Sequence, residues 1–242
     1  MSRVIVFGAS GVFGGQVARE LAKRGVSVTA AGRDLANAEA AARSLDGDAR
    51  AIAVDLTDAS SCCAALAGHA VAVNCAGPFN RLGAALLDAC LDAGCHYADI
   101  TDDRGYATLV RGYDAKFRER GLVAAYGCSS LPGISGALAI HLMNGATSSV
   151  DRARITLFIG NNNPKGRAAV GSLVAGLGRP IAAPQGTIRG FRDREVVLLP
   201  PPFGPRAVFN FAAPEYDLFP KLVGAKAVSV KVGFELRLAT YS

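Results

Sequence analysis

The hydrophobic pattern of the chain begins with an unbroken apolar run, Val4-Ile5-Val6-Phe7. A run of this kind suits a strand buried on both faces, as at the centre of a parallel sheet. A glycine-rich stretch, Gly8-Ala9-Ser10-Gly11-Val12-Phe13-Gly14-Gly15, follows directly, and then Val17, Ala18, Leu21 and Ala22 recur at helical spacing. Further strand patterns fall at Val26–Ala31, Ala49–Val54, Ala70–Asn74, His96–Ile100 and Leu122–Tyr126. Helical patterns separate them, including one through Leu66, one over Leu82–Ala93, one through Glu119 and, after the last strand, one ending at Met143. Strands alternating with helices at this spacing predict an α/β fold with a doubly wound parallel sheet of the Rossmann kind over residues 1–146. From Val150 the pattern changes. Arg152–Ile159 alternates, Gly160-Asn161-Asn162-Asn163-Pro164 breaks it, Ala168–Leu177 could be a short helix, and strand-like runs recur at Gly186–Phe191, Glu195–Leu199, Ala207–Phe211 and Ala227–Leu238. Strands without long helices between them predict a second, smaller α+β domain over 147–242, with a mostly antiparallel sheet. The final residues, Thr240-Tyr241-Ser242, interrupt an apolar run without a polar tail, so a longer polypeptide is expected.

The first turn carries the clearest chemistry. A strand, a G-x-x-G-x-x-G turn and a helix in that order form a dinucleotide-binding turn. The missing side chain at Gly8 permits a tight turn, that at Gly11 admits a pyrophosphate to the backbone, and that at Gly14 lets helix and strand pack closely. The positive end of the helix dipole then faces the phosphates. The second strand ends in Gly32-Arg33-Asp34 and offers no acidic residue where NAD enzymes commonly hold the ribose 2′-hydroxyl. Arg33 is a guanidinium able to make paired bonds to a 2′-phosphate, so NADP is favoured over NAD. Asp34 and Asp58 are placed to cap the helices that follow them, and Asp55 sits where an adenine edge would lie.

Later strand ends contribute to the same edge of the sheet. Asn74-Cys75-Ala76-Gly77-Pro78-Phe79 follows the fourth strand, and Gly77-Pro78 predicts a rigid turn beside a nicotinamide. Phe79 either walls that site or plugs the core, and the pattern leaves both open. Asp99, Asp102 and Asp103 cluster after the fifth strand, and the loop from Gly127 to Gly133 follows the sixth. Tyr97, Asp99 and Cys128 are the candidate proton donors for a reduction.

Charge and composition narrow the reading. Residues 1–150 carry 13 Lys+Arg and 14 Asp+Glu, whereas residues 151–242 carry 13 and 6, so the net +6 belongs to the second part. There the basic residues are scattered over strand-like segments, which suits a solvated face or attraction of an acidic small molecule better than nucleic acid. No nucleic-acid-binding module is recognisable. The six cysteines lack metal-ligand spacing and fall in apolar patterns, so no metal is expected and a reduced, cytoplasmic setting is. The opening apolar run is too short for a signal peptide, and Leu131–Met143 is too short and too interrupted to span a bilayer.

Taken together, Val6-Phe7-Gly8-Ala9-Ser10-Gly11-Val12-Phe13-Gly14, Ala31-Gly32-Arg33, Asn74 to Phe79, Leu87-Asp88-Ala89-Cys90, His96-Tyr97-Ala98-Asp99 and the Gly127–Gly133 loop resemble the saccharopine dehydrogenase family of NADP-dependent oxidoreductases. The resemblance covers roughly residues 3–145 and extends more loosely to Pro202-Phe203-Gly204 and Pro214-Glu215. It implies a Rossmann domain followed by a sheet-rich domain that supplies homodimer contacts, and a small-molecule substrate with a C=N, C=C or C=O group. It also implies pyrophosphate contacts at Gly8, Ser10, Gly11, Val12, Phe13 and Gly14, 2′-phosphate contact at Arg33, adenine contact at Asp55, and ribose and nicotinamide contacts at Asn74, Ala76, Gly77 and Pro78. Asp99 and Cys128 fall where saccharopine-forming enzymes have polar groups near the hydride-transfer centre. The lysine or arginine cluster for an amino-dicarboxylate is missing, which argues against saccharopine as substrate. A short-chain dehydrogenase would need Tyr-x-x-x-Lys, but Tyr113 and Lys116 are three apart. The competing class is a non-catalytic NADP-binding sensor or scaffold. Arg33→Ala is expected to cost about 1.5–3 kcal/mol of NADPH binding and little of NADH binding. Calorimetric titration with both dinucleotides checks this, and equal losses would show that Arg33 does not read the phosphate.

Overall fold

The computed structural model describes residues 3–143, 150–164 and 166–236. Contacts divide the chain into two compact units, Met1–Ser129 and Ser130–Ser242. In the first, β1 (Arg3–Phe7), α1 (Val12–Lys23), β2 (Val28–Gly32), α2 (Leu35–Arg43), β3 (Arg50–Ala53), α3 (Ala59–Leu66), β4 (His69–Asn74), α4 (Ala85–Ala93), β5 (His96–Asp99), α5 (Arg104–Gly112), α6 (Asp114–Glu119) and β6 (Ala124–Ala125) follow in order. All pairings are parallel, and the strand order is β3-β2-β1-β4-β5-β6. This is the doubly wound arrangement expected, with the order reversing between β1 and β4.

The apolar run at the start of the chain explains the two-sided burial. Side chains along a strand alternate between faces. Ile5 and Phe7 join a core with Leu66, Leu87, Tyr97 and Phe117, while Val4 and Val6 join a separate core with Ala18, Val28 and Ala30. A polar residue anywhere in Val4–Phe7 would therefore be buried in one layer or the other. Several element bounds shift from the expected ones. A 3-10 turn at Phe79–Arg81 delays α4 to Ala85, the helix expected through Glu119 breaks after Gly112 into α5 and α6, and β6 shrinks to two residues. Glycine weakens a helix interior, which accounts for the break at Gly112.

The second unit contains α7 (Ser135–Leu142), β7 (Arg152–Ile159), α8 (Arg167–Ala175), β8 (Pro180–Ala183), β9 (Gly186–Arg189), β10 (Glu195–Leu199), β11 (Gly204–Asn210), α9 (Glu215–Leu222) and β12 (Ala227–Phe234). Its sheet runs β10-β11-β12-β7, antiparallel except for the parallel β12–β7 pair, and β8–β9 is an antiparallel hairpin. The strand expected to reach Leu238 is seen to Phe234, and residues 237–238 lie outside the described residues.

The change of pattern at 146/147 is not where packing changes. Buried Leu131 shares a core with Tyr216, Phe219, Val228 and Val230, and Ser135 Oγ donates to Glu215 Oε1 at 2.6 Å. The helix after the Rossmann sheet thus packs with the second unit. The pattern did not announce α9, because Pro214 and Pro220 bracket its apolar residues and read as turn signals. No helix among the described residues is long and apolar enough to cross a membrane.

Tyr216 shows how α9 is tied to the sheet. Its hydroxyl accepts from Val230 N of β12 at 3.1 Å and donates at 3.3 Å to Val230 O, which also accepts from Phe211 N just past β11. Tyr216→Phe keeps the shape but leaves a buried amide short of a partner, so about 1–3 kcal/mol of stability should be lost. Urea unfolding followed by circular dichroism measures it.

Candidate functional site

The C-terminal ends of the parallel strands gather the predicted residues along one edge of the first sheet. Gly8, directly after β1, has φ +76°, and a Cβ there would lie 2.9 Å from Ala76 Cα. A Cβ on Gly14 would lie 2.1 Å from the Gly8 carbonyl oxygen, so no side chain fits. At Gly11 the limit is milder, 3.1 Å to the Gly8 oxygen, and the residue faces solvent. Gly11 is the N-cap of α1, in extended conformation with φ −82° and ψ 171°. No side chain caps the helix and its first turn holds no acidic residue. Free amide donors at a helix start, with no carboxylate competing for them, form an anion site. Ser10 and Phe13 are exposed beside it, and Val12 is half-buried. The cradle therefore fits a pyrophosphate.

At the end of β2, Arg33 is exposed and Asp34 caps α2 as expected, accepting from Asn37 N at 3.1 Å. Gly32 faces the turn, its Cβ direction lying 3.9 Å from Ser10 Oγ. Asp55, just past β3, is exposed and accepts from Thr57 N at 2.9 Å and Thr57 Oγ1 at 2.8 Å. These bonds, with the Arg33 charge assisting, hold its carboxyl below the usual range. Asp58 caps α3, as its position suggested.

Beyond β4 the interactions turn inward. Asn74 is fully buried, accepts from Ala76 N at 3.0 Å, and donates to the Tyr97 hydroxyl at 3.5 Å. The Tyr97 hydroxyl lies 3.0 Å from that of Tyr106, whose ring meets Phe79 at a tilt of 52° with centroids 5.2 Å apart. Phe79 thus packs against the core. Tyr97 is buried among apolar side chains, and burial raises its hydroxyl well above the ordinary value. Gly77 is exposed and Pro78 half-buried in the turn that follows.

Asp99 organises the next two strand ends. Its Oδ1 accepts from Thr101 N at 2.9 Å and Gly127 N at 2.8 Å, and its carbonyl accepts from Cys128 N at 2.7 Å. The side chain is fully buried, and Oδ2 has no hydrogen-bond partner among the described residues. Burial raises its pKa, against the opposing pull of the Gly127 and Thr101 amides and, after them, the Tyr97 hydroxyl. Cys128 is exposed, yet its thiol is also pushed up, by partial burial first and then by the Asp99 charge. Cys75, nearer the core, is pushed up to about 12 by burial. No cation lowers either thiol, so neither has the electrostatics of an activated nucleophile. Asp103 caps α5 through Tyr106 N at 2.8 Å, and Asp102 is raised mainly by burial. The described residues hold no cluster of His, Cys, Asp and Glu disposed for a metal. Sequence reasoning missed Tyr106 and Thr57. The Asp103–Tyr106 capping spacing is the only signal for the first, and Thr57 acts through both its amide and its hydroxyl.

A sheet of order 3-2-1-4-5-6 with a glycine cradle against an uncapped helix start defines a fold of the Rossmann class. Residues 4–124 match the family described as Saccharopine dehydrogenase NADP binding domain, and the chain belongs to that family. Apo saccharopine dehydrogenase (L-Glu forming) from Saccharomyces cerevisiae is similar in structure, with a TM-score of 0.67 and 16% identity over 96% of this chain and 55% of that one. The chain thus spans about half the length of the yeast enzyme. A short-chain dehydrogenase from Sphingobium yanoikuyae in complex with NADPH is 18% identical over 52% of this chain and 69% of that one, with a TM-score of 0.40. Hydroxysteroid dehydrogenase from Escherichia coli is 19% identical over 50% and 72%, with a TM-score of 0.44. A search of curated proteins finds no match.

The two inner glycines should respond differently to substitution. Gly11→Val should keep the fold and abolish dinucleotide binding, whereas Gly14→Val should unfold the first unit, because a Cβ would lie 3.1 Å from the Gly8 oxygen in the first case and 2.1 Å in the second. Circular dichroism with calorimetric titration separates them. Asp99 has a folded pKa above its unfolded one, so its contribution is most favourable below the ordinary aspartate value of 3.8 and is lost as pH rises through the folded pKa. Asp99→Asn keeps an acceptor for both amides and removes the buried charge. Its melting temperature should exceed that of the wild type at pH 8, and the difference should shrink as the pH falls towards 3.8.

Proposed function

We propose that the chain binds NADP(H) along this strand edge and serves as an oxidoreductase acting on a small molecule with a C=N, C=O or C=C group. The observation that carries the reading is the cradle itself. Gly8 and Gly14 are packed too closely for side chains, the α1 amides are uncapped, and Arg33 stands at the end of β2. The first turn would hold the pyrophosphate, Arg33 the 2′-phosphate, Asp55 the adenine, and Asn74, Ala76, Gly77 and Pro78 the ribose and nicotinamide. The bound dinucleotide would supply or take up the hydride. Asn74 presents the Ala76 amide region at a fixed position because its side chain is itself held by Tyr97.

Asp99 is the proton donor this reading favours. Its buried carboxyl, with one oxygen unpartnered, holds a proton to higher pH than an exposed aspartate would. Cys128 is the alternative, and its raised pKa keeps the thiol protonated at neutrality. Tyr97 supports a donor role least, since its hydroxyl is engaged by Asn74 and Tyr106. A homodimer through the second unit completes the reading, and light scattering measures it.

A second reading is an NADP-binding sensor without turnover. The sealing of the Tyr97 hydroxyl inside the core favours it. Anaerobic mixing with NADPH and a panel of imines, ketones and enoyl thioesters decides between them. Oxidation of NADPH by any of these supports the enzyme, and tight binding with no oxidation supports the sensor. Given a turnover assay, Asp99→Asn should lose activity by about 10²-fold or more with NADPH affinity retained. Wild-type turnover would remove Asp99 from the chemistry.

A further inference from the structure

We infer that Asp55 works against Arg33 in cofactor choice, its fixed carboxylate repelling the 2′-phosphate that Arg33 attracts and so restraining the preference for NADPH over NADH. The inference rests on the NADP(H)-binding reading above and concerns the same subsite.

Backbone geometry brings the two residues together. β2 and β3 run parallel with Gly32 opposite Ala53, and Val54 N donates to Gly32 O at 2.9 Å. Arg33 and Asp55 therefore leave adjacent strands at the same edge, one residue and two residues beyond that pair. Asp55 is held there at two points. Its amide donates to Ser61 Oγ at 3.1 Å, and its Oδ1 accepts both the amide and the hydroxyl of Thr57. The two Thr57 bonds favour the ionised form, so a negative charge stands at the same strand edge as Arg33 at neutral pH, within reach of its field.

A ribose 2′-phosphate carries between one and two negative charges near neutrality. A ligand placed to reach Arg33 brings that charge within the field of Asp55 as well. Both groups are exposed, so the repulsion acts through a high dielectric and amounts to roughly a threefold to tenfold loss in affinity. NADH has no phosphate there and escapes it. Any contact between Asp55 and the adenine is common to both dinucleotides and cancels in their ratio.

The test is calorimetric titration of wild type, Asp55→Asn and Asp55→Ser with NADPH and NADH, at low and at high salt. Asp55→Asn keeps an oxygen for the Thr57 bonds, and Asp55→Ser guards against an effect peculiar to the amide. Both should raise the NADPH:NADH affinity ratio by about threefold to tenfold at low salt, with the gain shrinking as salt screens it. An unchanged or lowered ratio overturns the inference, as does an equal fall in both affinities, which would mark Asp55 as an adenine contact alone. A wild type that binds neither dinucleotide overturns the NADP(H) reading and this inference with it. A wild type that binds NADPH, with a ratio indifferent to Asp55, overturns only this inference.

Discussion

The dinucleotide edge depends on one close approach of backbone to backbone. Gly14, in the first turn of α1, sits over the Gly8 carbonyl so tightly that a Cβ would come within 2.1 Å of its oxygen, and Gly8 in turn lies against Ala76 at the end of β4. These contacts aim the start of α1 at the crevice between β1 and β4, where the strand order reverses. Because no side chain caps the helix and no acid stands in its first turn, its amides keep their capacity for an anion. The anion site is a product of packing, with no charged side chain of its own in the turn.

The other half of the edge is organised by a buried carboxylate. Asp99 gathers the amides of Thr101, Gly127 and, through its carbonyl, Cys128, so the loops after β5 and β6 are held to one residue. Such an arrangement makes Asp99 structurally important whatever its chemistry. Burial costs the ionised form, the two amides partly offset that cost, and the unpartnered Oδ2 is the remainder. Asn74 plays the corresponding inner role after β4, joining the Ala76 amide to the Tyr97–Tyr106 pair.

In the second unit three basic residues on or beside the sheet are held by acidic partners. Arg154 pairs with Glu195, Lys231 lies 3.6 Å from Glu195 and donates to Asp193 O at 2.6 Å, and Lys226 pairs with Asp151. Lys231 is 9% exposed, so its charge is satisfied in place and is poorly available to a polyanion. Val228 and Val230 of β12 share a core with Tyr216 and Phe219 of α9, while Lys231, one residue on and so on the other face, reaches Glu195 and Asp193, as strand alternation requires.

Local pattern alone determined much of the first unit. Val4–Phe7, the glycine spacing, the caps at Asp34 and Asp58, and the end of β4 at Asn74 are each specified by a few neighbouring residues, through burial period, steric need or a short side-chain bond. The family of the chain was legible for the same reason, since its motifs are local. What only the tertiary structure decided are relations between residues far apart in sequence. The unit boundary at Ser129/Ser130 depends on Leu131 finding Tyr216, and Phe79 turned to the core because Tyr106 was there to receive it. Tyr97 and Asp99 stand two residues apart on one strand, yet the first has its hydroxyl sealed in a side-chain pair and the second has a bare carboxylate oxygen. Their spacing is identical to what any strand would show. The difference comes from Tyr106 and Gly127, partners that long-range folding alone brings within hydrogen-bond reach.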